Sequence, residues 1–436
     1  MDAGTPDNRR AIFAARIGWG GYFGFLCLLM IVVGLESALH FVGPAIDGPF
    51  QLYNSLRRIW VGQRGGVDFQ FFHGMGIPYL HYIPFRLLGG TFIDSEIVRE
   101  MMSVVAYPLA IIVFLRFFVR DWTRTLAWAA IVMSASIALR MTSMLVAINS
   151  LLGIRSTLPT LLPVALCLRV RPWIRTTISG VVLGGALVMG TEQGLAVLLG
   201  IIIAFGVVAL RARGAARRAH VIEAVVIVGI GIATLVAGLT AIGGADGMRG
   251  ALNYNFRLIP MDQYWYFGAP PNLFLSSWRA IPRMMSTLPR IPVTLVLGAA
   301  TAVVSVRLLW RDAESSRGRE QLAFTVLALY GIISCTSLLG TYVNAYIQPL
   351  LRVLLLLAAV IASRRMPARD TSLGRKLRLG VGPTVTVTAA LVAALMVAIV
   401  PAVGGTIVET IPHLVMQHIV NRVGAVYGEM WPETIV

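Results

Sequence analysis

Apolar runs long enough to cross a membrane recur along the whole chain, separated by short polar segments. A helix that crosses the hydrocarbon layer needs roughly 20 mostly apolar residues, because its backbone must form all its hydrogen bonds internally. The runs lie near residues 18–39, 101–118, 124–145, 156–170, 177–192, 194–210, 221–243, 291–309, 321–340, 348–363 and 381–402. The pattern predicts an all-α polytopic transmembrane bundle of about eleven helices.

Composition supports membrane residence and excludes several classes of protein. With 57% hydrophobic residues, 13% charged residues and a mean hydropathy of +0.77, the chain is too apolar for a soluble protein of 436 residues. The net charge of +17 is spread in small basic groups between apolar runs, which argues against nucleic acid as a partner. All three cysteines fall within apolar runs, so no disulfide framework is expected.

The basic groups predict the orientation of the chain in the membrane. They cluster in alternate connecting segments, at residues 9–16, 116–124, 169–175, 211–218, 307–319 and 364–378. The positive-inside rule assigns these segments to the cytoplasm, which places the N-terminus inside and, with an odd number of spans, the C-terminus outside. Almost all basic residues are Arg, a bias typical of a GC-rich bacterial genome, so we expect a multi-pass protein of the bacterial plasma membrane.

The predicted topology concentrates long segments on the outer face. The inner loops are too short for a nucleotide-binding domain, and no Walker or dinucleotide fingerprint is present. We expect residues 1–402 to form one transmembrane catalytic module with long outer loops at 40–100 and 244–290. Residues 403–436 are predicted to form an extracytoplasmic tail helix. Because long loops often carry function, the active side is expected to be the outer one.

Charged residues are predicted at the outer ends of several apolar segments, namely Glu36, Arg140, Glu192 and Arg352, and in one outer turn. Arg155 lies in an outer turn, Glu192 interrupts an apolar hairpin, and Arg352 begins a late apolar run. Charges in such places are costly unless they serve a function or reach the interface. Together they predict a polar cavity open to the outside. The alternative is that each residue contacts lipid headgroups or pairs with a neighbour, or that Glu192 is exposed in a turn.

The first outer loop begins with an amphipathic segment from Asp47 to Gly62. Its apolar residues recur at helical spacing: Pro49, Leu52, Tyr53, Leu56, Ile59 and Trp60. This pattern predicts a helix lying in the membrane interface, begun by Asp47 and ended by Gly62. Asp47 has two interpretations from the sequence alone, because an Asp at that position serves equally well as a helix cap or as a catalytic carboxylate.

An acidic residue after the first span, an interfacial helix that ends in Gly, and the stretch Gly74–Leu80 before the next span resemble the GT-C family of lipid-linked glycosyltransferases. The resemblance covers roughly the first hundred residues. Many members carry two adjacent acids where this chain has Asp47 followed by Gly48. The resemblance implies transfer of a sugar from a polyprenyl-phosphate carrier to a glycan, lipid or protein acceptor on the outer face, with inversion.

The resemblance also implies roles for individual residues. Asp47 would accept the proton of the attacking hydroxyl, while guanidinium groups neutralise the leaving phosphate. Glu192 is a second candidate catalytic acid, because it interrupts an apolar hairpin at its outer tip. The candidate phosphate partners are Arg58, Arg155, Arg257 and Arg352. Arg58 is alternatively a headgroup contact on its amphipathic helix.

Further candidates come from the polar residues of the two outer loops. Asp47, Asp68 and His73, with His81 nearby in sequence, are candidate ligands for a divalent cation, or else solvated loop residues. His73 and His81 are also candidate substrate contacts. Asp262 and Gln263 lie among aromatic residues, a mixture that suits sugar recognition but also an aromatic belt at the interface.

Two other functions compete with this interpretation. An O-antigen-ligase or polymerase-like enzyme is also many-helical and active outside, but such enzymes use histidines in a late outer loop, and residues 244–290 contain none. A transporter or flippase for lipid-linked sugars would explain the cavity without catalysis. Transporters commonly contain internal repeats, and no convincing repeat relates the two halves of this chain.

Overall fold

The computed structural model describes residues 6–39, 49–139, 141, 145, 151–259, 290–315, 317–337 and 347–365. Within these ranges the secondary structure is helical. The helices are α1 Pro6–Leu39, α2 Pro49–Trp60, α3 Gly76–Leu88, α4 Phe92–Val119, α5 Trp122–Ala138, α6 Leu152–Arg155, α7 Thr157–Leu166, α8 Pro172–Met189, α9 Thr191–Arg211, α10 Gly214–Asn253, α11 Arg290–Asp312, α12 Gly318–Ser334 and α13 Gln348–Arg365.

Six segments among the described residues are long and apolar enough to cross a membrane. They are Phe13–Glu36, Phe92–Val119, Pro172–Met189, Thr191–Arg211, Gly214–Leu258 and Val293–Asp312. Each apolar run predicted up to residue 363 coincides with a helix, and the run at 381–402 lies outside the described residues. The prediction of an all-α, multi-pass membrane protein is therefore confirmed.

The core forms where the apolar faces of α4, α9, α12 and α13 meet. Phe114, Val197, Leu327 and Val353 are fully buried in this region. The helix α1 packs on α4 and α5, α10 packs along α8, and α9 packs along α12. Large apolar side chains on the outside of the bundle remain exposed, Ile222 and Val225 of α10 among them, as expected for helices surrounded by lipid.

Two helices differ from the limits of their apolar runs. The helix α4 begins at Phe92, well before the run at 101, because a capping box forms between Thr91 and Asp94. Helix α10 continues to Asn253, beyond the run ending at 243, after a kink at Gly244 with φ 74°. Both extensions are polar at the sequence level, so hydropathy alone underestimates the helices.

The interfacial helix predicted in the first outer loop is present as α2. Leu52 and Leu56 are fully buried, as the amphipathic pattern predicts, whereas Phe50 and Trp60 are about half exposed. A second short helix, α3, packs beside α2 and α4. Asp47, at the predicted start of the interfacial helix, lies outside the described residues.

Candidate functional site

A partly buried ion pair lies where the segment before α3, the end of α6 and the start of α9 meet. Arg155 is 1% exposed, and its Nη2 lies 2.6 Å from Glu192 Oε1. Its Nη1 lies 3.0 Å from His73 Nδ1. Because a guanidinium can only donate, His73 Nδ1 is the acceptor, and the imidazole carries its proton on Nε2 in this arrangement. Three residues that the sequence marked separately thus form one network.

Two glycines allow the backbone segments of this network to approach. Gly74 has φ 125°, and a Cβ there would lie 2.7 Å from the carbonyl of Met189 at the end of α8. At Gly190, a Cβ would lie 3.1 Å from the Cβ of Arg155. The glycine at the start of the Gly74–Leu80 stretch therefore has a structural role, because it lets His73 lie against the α8–α9 turn and next to Arg155.

Glu192 lies in the first turn of α9, where the N-terminal end of the helix dipole favours a carboxylate. Its side chain is 33% exposed, and its Oε1 also accepts a hydrogen bond from Gln193 Nε2 at 3.1 Å. Glu192 is thus held by a buried arginine while part of its side chain remains accessible. Glu192 is therefore not an isolated, exposed residue at the tip of a hairpin.

Arg352, in the first turns of α13, lies beside this network and is fully buried. Its Nη2 donates to the Ser156 carbonyl at 2.5 Å, and its guanidinium lies 5.6 Å from the ring centroid of Tyr107. Tyr330 lies close to Arg352, and its hydroxyl donates to Gln193 Oε1 at 2.7 Å. The side chain of Gln193 therefore connects the surroundings of Arg352 with Glu192.

The network has an excess of buried positive charge. Among the described residues, Arg155 has a carboxylate partner in Glu192, whereas Nε and Nη1 of Arg352 have no hydrogen-bond partner and no carboxylate contacts it. Arginine stays charged even when buried, and a buried charge without a counterion is strongly unfavourable. The arrangement is therefore suited to bind an anion.

A second buried ionic group was missed by sequence analysis. In α4, Arg99 Nη2 lies 2.5 Å from Glu96 Oε2 and 3.2 Å from Glu100 Oε1, and all three side chains are at most 5% exposed. The sequence analysis placed these residues in the long outer loop 40–100. Their i, i+3 and i+4 spacing was the signal available in the sequence, since these positions share one face of a helix.

Two other candidate arginines lie at the surface. Arg58 of α2 is half-buried, and its Nη1 donates to the Asp68 carbonyl at 2.9 Å. Arg257 lies exposed in the π-helical turn Tyr254–Leu258 that follows α10. The contacts described above do not join either residue to the network of Arg155, so their proposed contact with phosphate stays a prediction.

His81 is fully buried within α3, and its Nδ1 lies 2.7 Å from the Ile77 carbonyl of its own helix. Burial lowers the pKa of His81 to about 4, and the nearby positive charge of Arg99 acts in the same direction. His81 is therefore neutral at pH 7 and offers no positive charge to a phosphate. Its role as a substrate contact stays a prediction.

The candidate metal ligands have separate partners where they are described. Asp68 Oδ2 accepts from the Arg64 backbone N–H at 2.6 Å, and His73 contacts Arg155. Across the described part of the chain, no group of three or more His, Cys, Asp or Glu residues is placed to hold a metal ion. Asp47, Asp262 and Gln263 lie outside the described residues, so a cation at Asp47, Asp68 and His73 stays a prediction.

No family model matches the sequence, and no curated protein matches it significantly. Among solved structures, the chain is similar to ArnT from Cupriavidus metallidurans bound to undecaprenyl phosphate, with a TM-score of 0.48 and 18% identity. The match covers 88% of this chain and 66% of that chain. This likeness concerns the arrangement of helices, and function is inferred below from the residues of the chain itself.

Proposed function

We propose that the chain is a membrane glycosyltransferase that moves a sugar from a polyprenyl-phosphate carrier to an acceptor on the outer face of the bacterial plasma membrane. The observation that carries the proposal is the buried pair Arg155 and Arg352, of which Arg352 keeps two nitrogens without a partner in the described residues. A phosphate monoester or diester supplies the anionic oxygens that such a site lacks. A lipid carrier suits a cationic site buried among membrane helices.

The contacts between segments support the proposed division of the segments between the two faces of the membrane. His73, Arg155 and Glu192 come from three separate segments that the positive-inside rule assigns to the outer face, and they meet in one network. At the other end of the bundle, Glu223 lies 2.6 Å from Arg319 and 3.3 Å from Arg175. These residues come from or adjoin segments assigned to the cytoplasm. Residues assigned to the same side are therefore the ones that touch.

The proposed reaction is a displacement at the anomeric carbon of the donor sugar. The acceptor hydroxyl oxygen forms the new bond, the bond from the anomeric carbon to the phosphate oxygen breaks, and the polyprenyl phosphate leaves with the electron pair. Attack from the face opposite the leaving group inverts the configuration. Arg352 and Arg155 would stabilise the charge that develops on the phosphate, and Asp47 would accept the hydroxyl proton.

Glu192 and His73 have a supporting role in this proposal. Glu192 Oε1 and His73 Nδ1 each accept from a different nitrogen of Arg155, so together they fix the plane of its guanidinium. An arginine held in this way needs no rearrangement when charge develops on the leaving group, which is the condition for electrostatic stabilisation of a transition state. The second catalytic acid predicted at Glu192 is thus proposed to act by positioning Arg155.

Binding of undecaprenyl phosphate to the purified protein in lipid nanodiscs tests the proposal. We expect binding to wild type and at least about tenfold weaker binding to Arg352→Lys, because lysine keeps the charge but loses the planar guanidinium. Arg249→Lys, at an exposed arginine of α10, is the matched control and should bind as wild type does. Equal binding by all three proteins would contradict the phosphate site.

Turnover separates a transferase from a transporter. A polyprenyl-phosphate sugar with a radiolabelled sugar, incubated with the protein and an extract of cell-envelope acceptors, should transfer label to the acceptor and release polyprenyl phosphate. Binding of the donor without transfer to any envelope fraction would instead favour movement of the lipid-linked sugar across the membrane.

A further inference from the structure

A small polar cavity lies beside the ionic network, between α2, the segment that precedes α3, and the turn after α10. Its volume is about 290 Å³, near the lower end of the roughly 300–1,000 Å³ typical of ligand pockets, so it suits a small unit rather than a long segment. It is lined by Gln51, Asn54, Ser55, Arg58, Phe69, Gln70, Phe71, Phe72 and Tyr254.

The lining combines amides with aromatic rings. Gln51, Asn54 and Gln70 present groups that both donate and accept hydrogen bonds, as sugar hydroxyls require, while Phe72 and Tyr254 offer apolar ring surface. Gln70 Nε2 donates to the Gly66 carbonyl at 3.0 Å, but Gln70 Oε1 is buried without a partner among the described residues. A buried acceptor of this kind is normally satisfied, and a ligand hydroxyl would satisfy it.

The single charged lining residue does not make the cavity a phosphate site. Arg58 already donates to the Asp68 carbonyl at 2.9 Å and lies 3.4 Å from Gln63 Oε1. It also lies 3.4 Å from Asn54 Oδ1. Its N–H groups thus have protein acceptors and lie in an exposed setting, unlike those of buried Arg352. The chemistry of the cavity favours an uncharged ligand with hydroxyl groups.

The cavity wall continues directly into the ionic network. The ring of Phe72, which lines the cavity, lies 4.9 Å from the ring of His73, and His73 contacts Arg155. We infer that the cavity binds an uncharged sugar unit of the acceptor, beside the phosphate of the donor. This inference rests on the proposed function, which requires a second substrate next to the phosphate site.

Saturation-transfer NMR on the protein in nanodiscs tests this inference without needing turnover. The probes are maltotriose, mannotriose and galactotriose, with glucuronic acid and glucose 1-phosphate as charged competitors. We expect saturation of the ring C–H protons of at least one neutral trisaccharide. Gln70→Leu should raise its Kd about 3- to 10-fold and Tyr254→Ala about 10-fold, through loss of a hydrogen bond and of ring contact.

The matched control is Asn253→Ala, which removes an exposed amide next to Tyr254 that does not line the cavity. It should bind the trisaccharide as wild type does, and thermal unfolding should show that all three variants fold. The inference is overturned if no neutral trisaccharide binds, if the charged probes bind better, or if the cavity variants bind as the control does.

Undecaprenyl phosphate binding, measured on the same samples, distinguishes the two proposals. Gln70→Leu and Tyr254→Ala should retain it, whereas Arg352→Lys should weaken it about tenfold or more and keep trisaccharide binding. If no trisaccharide binds while undecaprenyl phosphate still binds, the acceptor cavity alone is overturned. Intact sugar binding without any lipid-phosphate binding would overturn the proposed donor site alone.

Discussion

Two ionic groups at opposite ends of the bundle have the same composition and different surroundings. The inner group joins Arg175 and Arg319 to Glu223, and the outer group contains Arg155, Arg352 and Glu192. In the inner group both arginines contact the one carboxylate, with side chains 14% to 29% exposed. In the outer group Arg155 alone contacts it, and Arg352 is fully buried.

The difference shows that burial and pairing, rather than the number of charges, distinguish a structural group from a binding site. In the inner group, both arginines contact Glu223 and water screens the second positive charge, so the group needs no further anion. In the outer group the uncompensated charge of Arg352 lies where water does not screen it. A bound anion is the component that completes it.

The largest expected effect tests whether the two groups lie on opposite sides of the membrane. Val61 is exposed just after α2, and Ala216 is exposed at the start of α10. A membrane-impermeant maleimide applied to intact cells should label Val61→Cys, and should label Ala216→Cys only after permeabilisation. Wild type, whose three native cysteines are buried or half-buried, is the background control. The reverse pattern would invert the topology.

The second largest effect is expected for sugar transfer, when an aspartate assigned to the outer face is compared with one assigned to the inner face. Asp47→Asn should reduce sugar transfer by roughly 10² to 10⁴, because an amide cannot accept the acceptor's proton, while the cap is retained, since Asn caps about as well as Asp. Asp121→Asn is the matched inner control, because Asp121 Oδ1 accepts from the Arg124 backbone N–H at the start of α5. Full activity of a folded Asp47→Asn protein would leave Asp47 as a cap only.

Glu192 of the outer group and Glu223 of the inner group should contribute differently to the free energy of unfolding. Glu192→Gln removes the carboxylate that contacts Arg155, which is 1% exposed. Because Glu192 itself is 33% exposed, the cost should lie between those of exposed and buried pairs, at about 2 kcal/mol. Glu223→Gln frees two partly exposed arginines and should cost about 1 kcal/mol. Chemical denaturation in matched detergent measures both. A larger loss for Glu223→Gln would reverse the distinction drawn between the two groups.

Binding of undecaprenyl phosphate should respond to the outer arginine alone. We expect Arg352→Lys to weaken it about tenfold or more, and Arg319→Lys to leave it unchanged, because Arg319 already has Glu223 as its acceptor. Titration of both variants in nanodiscs gives the ratio of dissociation constants. Equal weakening would point to a general effect of positive charge on an anionic lipid.

Much of the fold followed from local patterns. The apolar runs predicted the longer helices up to residue 363, and the helical spacing in the first outer loop predicted α2, whereas the short helices α3 and α6 correspond to no run. Hydropathy did not predict the start of α4, which is set by a capping box. It also did not predict the end of α10, which lies beyond a kink at a glycine. Of the candidate site residues, Arg155, Glu192, His73 and Arg352 converge, whereas the cavity residues Gln51 and Gln70 gave no signal in the sequence.

By itself the sequence determined that the chain is a helical membrane protein, because the energy of placing backbone and charge in lipid depends on composition over a window of residues. It also marked Arg155 and Arg352 as unusual. Only the tertiary structure decided which charges are paired, since Ser156, Glu192 and Arg352 are far apart in the chain and meet through helix packing. Whether a buried charge lacks a counterion is a property of that packing, and the proposed site depends on it.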